Sequence, residues 1–361
     1  MENVNDIKVS VVMPIYNAFS YLRPALDSII NQTLENIEII CIDDGSTDES
    51  LEILKEYQVA DARVRIITET NAGPGIARNN GIHRARGEYI AFFDADDFYE
   101  PSFLEELYER ARRDDLDIAF SQYDIYNSKL DRFEPSAHAE HSEMYSENSV
   151  TSKREYPDIV LSSTIASAWN KLFRRSFILD KGLSFLTDVR LYEDVYFVVT
   201  ALSLAERIGK VHKVLMHHRI HSKQSRAIMF GKYYMQIPVV YERIKDFLVA
   251  HGMYAPLVRS YLNISVGRCY KVFNLLADES KRAFWNALSE KYSELLGWQT
   301  AAEDDFESVE LYKFVVSLGL YTYDDYMKRL ASDEKTVDVL DIPPRRRKFR
   351  ALLTKILRNK K

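Results

Sequence analysis

Two cysteines in 361 residues, Cys41 inside an apolar run and Cys269 far from it, cannot build a disulfide framework and fit a reducing compartment. No stretch approaches the ~20 consecutive apolar residues of a membrane span. The acidic start, Met1-Glu2-Asn3-Val4-Asn5-Asp6, lacks the apolar core of a signal peptide. The expectation is a cytoplasmic chain, neither exported nor integral to a membrane. A basic folded face is missing too. The net charge is −6, and Arg345 to Lys361 holds nine Lys or Arg and no acid, so residues 1–344 carry −15. An acidic body argues against nucleic acid as a partner, because wrapping it needs a positive face on the folded domain. No internal repeat is evident. What is left, 46% hydrophobic and 28% charged, is ordinary globular composition, with length for one large domain and a smaller one.

The most informative stretch is Phe92-Phe93-Asp94-Ala95-Asp96-Asp97, where an apolar strand from Tyr89 to Phe93 runs into three carboxylates. Like charges that close repel, and each costs several kcal/mol to desolvate unless it is paired or binds a cation. A hard divalent ion held by oxygen ligands is the natural partner; capping of a following helix is the plainer alternative.

The chain upstream decides between these readings. Val9-Ser10-Val11-Val12-Met13 predicts a buried parallel strand, ending at Pro14-Ile15-Tyr16-Asn17 before a helix that Ser20 can cap. Ile37 to Ile42 predicts a second strand, stopping at Asp43-Asp44-Gly45-Ser46, with Ser46 and Glu49 at capping-box spacing for a helix through Tyr57. Val64 to Thr68 is a third strand, followed by Asn71-Ala72-Gly73-Pro74-Gly75 and a helix to Arg84. Alternation of this kind implies a parallel sheet with helices on both faces, and ligands in such sheets bind at the carboxyl ends of strands. Pro14, Tyr16, Asp43, Asp44, Asp94 and Asp96 all stand at such ends and should converge on one crevice.

Further along, the polar stretch Ser128 to Pro157, with His138 and His141, reads as a surface excursion. Order returns around Trp169-Asn170-Lys171. Tyr192-Glu193-Asp194 then opens an apolar helix, and a strand from Ile208 to Met216 ends in His217-His218-Arg219-Ile220-His221. From about Tyr233 the pattern is helical. The expected organisation is a catalytic domain over 1–230, a helical region over 231–344 and a tail over 345–361.

These motifs, in this order, resemble the inverting family 2 glycosyltransferases with the GT-A fold, a Rossmann-like, mostly parallel α/β sheet flanked by helices. The resemblance covers roughly residues 7–226. Trp169-Asn170-Lys171-Leu172-Phe173-Arg174 followed by the Glu-Asp pair is similar to bacterial members that build surface polysaccharides. It implies a UDP-sugar donor, a glycan or lipid-linked saccharide acceptor, and Mn or Mg held by Asp94 and Asp96 to neutralise the leaving diphosphate. It further implies that Pro14, Tyr16 and Asp44 hold the nucleoside with Asp43 supporting their loop, and that Arg78 approaches the base. Gly73 and Gly75 would let backbone come close to the nucleotide. Asp194 would be the general base with Glu193 beside it, Trp169 would face the sugar or acceptor, and Arg219 and Ser225 would close over the diphosphate. One histidine of 217, 218 and 221 is a candidate further metal ligand, although the commoner Tyr-Arg pattern is absent here. A nucleotidyltransferase would need a Gly-rich basic loop after the first strand, and Pro14 to Ser20 has none.

The tail has its own logic. Phe349, Leu352, Leu353, Ile356 and Leu357 recur at helical spacing among cations, beyond Pro343-Pro344. Such a helix suits an anionic membrane surface and would place the protein on the inner face of the plasma membrane; a helix packed on the body or on another subunit is the equal alternative.

Overall fold

The computed structural model describes residues 7–136, 144–146, 148–221 and 231–332. Ser225, His138, His141 and the 345–361 tail lie outside these residues.

Short runs of Val and Ile form β1 (Val9–Ile15), β2 (Ile37–Asp43), β3 (Val64–Thr68) and β4 (Tyr89–Phe92), and α1 (Phe19–Ile30), α2 (Ser50–Ala60) and α3 (Pro74–Arg84) connect them. The four strands pair in parallel in the order β3-β2-β1-β4. Right-handed crossover helices bury both faces of such a sheet, which is why the strands carry almost no polar side chains. Register fixes the site edge: Ile15 lies opposite Asp43, and Asp43 opposite Thr68.

Beyond β4 the sheet is mixed. After β5 (Phe98–Tyr99) and α4 (Phe103–Arg113) come β6 (Ile118–Asn127), β7 (Arg132–Pro135), β8 (Val150–Thr151) and β9 (Lys171–Arg174). β9 inserts antiparallel between β4 and β6, and β10 (Ile208–Ile220) runs parallel to β6 and antiparallel to β5. The surface excursion thus contributes two short strands, β7 on β6 and β8 on β10. Helices α5 (Arg175–Asp180) and α6 (Glu193–Leu204) sit between β9 and β10.

The capping expectations need correcting. Helix α1 starts at Phe19 with no side-chain cap of its own, and α2 starts after Glu49 without a capping box. Ser46, Asp48 and Ser50 instead reach across to the β1–α1 loop. Their side chains accept from the backbone N–H groups of Asn17 (3.1 Å), Phe19 (3.1 Å) and Ala18 (2.9 Å). Residues with local capping potential here satisfy the orphan donors of a neighbouring helix, which ties two site loops together.

Of the C-terminal helices, α7 (Gln236–Ala250) packs on α6, α8 (Val258–Leu275) on α7, α9 (Asp278–Ala287) and α10 (Val309–Leu320) on α8, and α11 (Tyr323–Ala331) on α9. One apolar core runs unbroken from Val12 and Phe92 through Phe197 to Tyr261, Phe273 and Trp285. A second, on the other face of the sheet, joins α1, α2 and α4 through Leu26, Leu54 and Leu107. Cys41 and Cys269 are both buried thiols. Among the described residues no helix is long and apolar enough to cross a membrane.

Candidate active site

A cavity of about 1190 Å³ opens where β1, β2 and β4 end, lined by Pro14, Tyr16, Asp44, Gly73, Arg78, Asp94, Asp96, Trp169, Arg190, Glu193, Asp194, His218 and His221. Its size suits a ligand with several rings. Of the described residues expected at the site, all line it except Asp43, Gly75, His217 and Arg219.

Asp43 supports the loop: its carboxylate accepts from Ser46 N–H at 3.2 Å. Asp44 turns into the cavity wall, and its two oxygens accept from the N–H groups of Ala72 (2.7 Å) and Gly73 (2.8 Å). The β2 and β3 loops are thereby fixed to one another. Tyr16, half exposed, stands at the rim.

Arg78 is the centre of the site's electrostatics. Buried on α3, it donates through Nη2 to Asp94 Oδ1 and through Nη1 to Glu193 Oε1, both at 2.8 Å. Burial works against its charge, but Asp94, Glu193 and Asp194 together hold its pKa above the ordinary arginine value. Burial and the adjacent Asp194 push the Glu193 carboxyl up, and the Arg78 pairing opposes them. Arg78 therefore spans the strand-end acids and the Glu-Asp pair, and both ends of its guanidinium are engaged by protein.

The chain reaches Glu193 by crossing the N-terminus of α3. Asn79 and Phe185 exchange a reciprocal pair of hydrogen bonds at 2.9 and 2.8 Å. A Cβ on Gly75 would stand 2.1 Å from the Leu186 carbonyl oxygen, so the close backbone approach that this glycine permits is to the crossing segment. Tyr192 ends the segment in the left-handed region, φ 69° and ψ 21°, a conformation costing a non-glycine residue roughly 1–2 kcal/mol. Asp194 follows, partly exposed to the cavity, with Oδ1 accepting from Val195 N–H at 2.8 Å.

The β10 end closes the opposite wall. Asp97, fully buried, accepts from Arg219 N–H at 2.8 Å and lies 3.0 Å from His218 Nδ1. Burial pushes its carboxyl up to about 6 against the pull of His218. Arg219 donates Nε to the Asp96 carbonyl at 2.8 Å and packs over the rings of Tyr21, Phe98 and Tyr126. His217 bridges Asp124 and Glu100, away from the cavity. His221 Nε2 lies 3.1 Å from Asp96 Oδ2, its ring stacked on Tyr21 at 4.1 Å, and its Nδ1 is buried with no hydrogen-bond partner. Trp169, buried, stacks on His218 at 5.6 Å with an interplanar angle of 4° and meets the edge of Tyr123.

A divalent ion fits only with help. Among the described residues no three His, Cys, Asp or Glu side chains are close enough together to hold one. Asp96 and His221 offer an oxygen and a nitrogen side by side, and Mg²⁺ commonly takes one or two protein donors with substrate phosphates completing its shell.

A family model, Glycosyl transferase family 2, matches residues 10–180. EpsH of Bacillus subtilis (strain 168) is 36% identical over 216 residues, 59% of this chain and 61% of EpsH. The uncharacterized glycosyltransferase YibD of Escherichia coli (strain K12) is 31% identical over 246 residues, covering 66% of this chain and 71% of YibD. The chain belongs to glycosyltransferase family 2. The fold of this family 2 chain is GT-A-like: S. aureus TarS 1-349, in a crystal structure with UDP, superposes with a TM-score of 0.63 at 22% identity, covering 86% of each chain. The chain thus spans less than two thirds of EpsH and 86% of the TarS 1-349 chain.

Sequence reasoning missed two site residues of this family 2 chain. Arg190 lies over Gly73, where an added Cβ would stand 2.4 Å from its Nη1, and it lines the cavity. Tyr21, inside α1, forms the floor on which His221 and Arg219 rest. Neither stands in a motif. Tyr21 reads simply as an apolar position of α1.

Proposed function

We propose that this cavity binds a nucleotide-sugar, with a UDP-sugar as donor, and that the protein transfers its hexosyl or N-acetylhexosaminyl group with inversion to a hydroxyl of a glycan or lipid-linked saccharide in surface polysaccharide synthesis. One observation carries the reading: Asp44, Asp94 with Asp96, and Asp194, from three separate segments of the chain, line a single cavity. Family membership supports it, as do S. aureus TarS complexes with UDP and with UDP-GlcNAc, proteins of the same fold.

In this reading Pro14, Tyr16 and Asp44 hold the nucleoside, with Asp43 and the cross-bonded loops keeping them rigid. Asp94 and Asp96, with His221 beside them, would hold Mn or Mg, which supplies charge neutralisation for the departing diphosphate. Arg219 stands by Asp96 to meet the diphosphate, and Ser225, outside the described residues, belongs to the same segment. Asp194 takes the proton from the acceptor hydroxyl. The acceptor oxygen then bonds to the anomeric carbon on the face opposite the leaving group, and the bond to the diphosphate oxygen breaks with its electrons going to the diphosphate. Glu193, paired with Arg78, fixes the base from behind, and Trp169 walls the sugar side. The 345–361 tail, outside the described residues, would bring the site to a membrane-borne acceptor.

The test is a panel of UDP-glucose, UDP-galactose and their N-acetyl forms, read as UDP release with Mn or Mg present. Turnover of at least one supports the reading; binding without turnover of any, across a set of saccharide acceptors, would favour a silent glycan-binding module.

A further inference from the structure

Tyr192 holds its left-handed backbone directly before Glu193 and Asp194, and such a conformation persists only where the surroundings over-determine it. Its surroundings come from the C-terminal helices. Arg268, on α8, lays its guanidinium carbon 5.4 Å from the centroid of the Tyr192 ring, with the Tyr241 side chain of α7 beside it. It is mostly buried, makes no ion pair among the described residues, and lies in the field of Asp194. A guanidinium taken from water without a bonded carboxylate is costly and is retained for something. Glu193 already has its arginine, Arg78, from the α/β half. Glu193 is thus met by an arginine from the α/β half, and Tyr192 directly before it by one from the helical half.

We infer that Arg268 is a positioning residue for the transfer reaction: by stacking on Tyr192 it fixes the turn that presents Asp194, so that the helical C-terminal region is part of the active site. The inference rests on Asp194 being the base. Tyr192 itself lines the cavity.

The test compares full-length Arg268→Gln, Arg268→Lys and Asp194→Asn, using UDP release from the four-donor mixture and UDP affinity by calorimetry. Arg268→Gln is expected to lower kcat at least tenfold while UDP affinity stays within about twofold. Arg268→Lys keeps a cation at the ring, so turnover returns to within about threefold. A purely structural arginine would change stability without this split between kcat and UDP affinity. Inactive Asp194→Asn beside Arg268→Gln with wild-type kcat would overturn the inference; fully active Asp194→Asn would overturn the assignment of the base instead. Should Arg268→Gln fail to fold, Tyr241→Phe removes only the phenol oxygen. It is expected to lose threefold or more in kcat at unchanged UDP affinity, and wild-type turnover in it would overturn the inference.

Discussion

The guanidinium of Arg78 lies 2.8 Å from the carboxylate of Glu193, 115 residues further along the chain, and the same group holds Asp94 at 2.8 Å. One buried cation thus joins the carboxylate-bearing strand end to the Glu-Asp pair. Removing it leaves two acids facing each other in a poorly solvated space. Arg78→Ala is expected to destabilise the fold by about 3 kcal/mol in denaturant melts and to cut turnover on the order of 10²-fold. Arg78→Lys should not restore either, because an ammonium cannot bridge two carboxylates as a fork does.

The proposed metal role of Asp94 and Asp96, with His221 at hand, gives a second prediction. Treatment with EDTA should abolish turnover, and Mn or Mg should restore it. Asp96→Asn is expected to weaken UDP binding at least tenfold in the presence of metal and by far less in its absence. Full activity after thorough chelation would remove the metal role from Asp94 and Asp96.

Stability at acid pH should report on Glu38, buried in β2 far from the cavity. Burial opposes its charge, yet bonds from Ser10 (2.7 Å) and Arg86 (backbone, 2.7 Å) win and hold its carboxyl below the ordinary glutamate range. A depressed value in the folded state means that the stabilisation is complete above the unfolded pKa, about 4.3, and is lost as pH falls through the lower folded value. Glu38→Gln is expected to cost about 2 kcal/mol at pH 7, and wild type and variant should converge as pH drops below about 4. A constant gap across that window in urea melts would show that packing, not ionisation, makes the difference.

The tail gives a prediction independent of the site. The protein should co-sediment with anionic but not neutral liposomes, less so in high salt, and deletion of 345–361 should remove this while turnover on a soluble acceptor survives. Equal sedimentation of both forms would leave the helix to pack on the body or on another subunit.

Much of this was legible in the sequence because strand ends carry the chemistry. Short Val- and Ile-rich runs have few alternatives to buried strands, and acids at their carboxyl ends point to one crevice. What stayed hidden depends on contacts between distant segments. Ser46 and Glu49 have capping-box spacing, yet Ser46 serves the β1–α1 loop, because a side-chain acceptor bonds whichever orphan donor folding brings near. Arg78, alone on a helix, gives no sign that its partner is Glu193. Histidines 217, 218 and 221 read alike in the sequence, yet alternation along β10 sends His217 to Asp124 and Glu100 and His218 to the cavity, and His221, just past the strand's end at Ile220, turns to the cavity as well. The antiparallel insertion of β9 is likewise set by what lies on either side of it, since its four residues, Lys171 to Arg174, carry no directional signal.

The central claim is that the cavity is a transfer site in which Asp194 removes the acceptor proton. The measurement that bears on it most directly is turnover set beside UDP affinity in Asp194→Asn. The account predicts turnover lower by roughly 10²–10⁴ with UDP binding nearly unchanged. Full activity, or a loss of UDP binding as deep as that of Asp96→Asn, would contradict it.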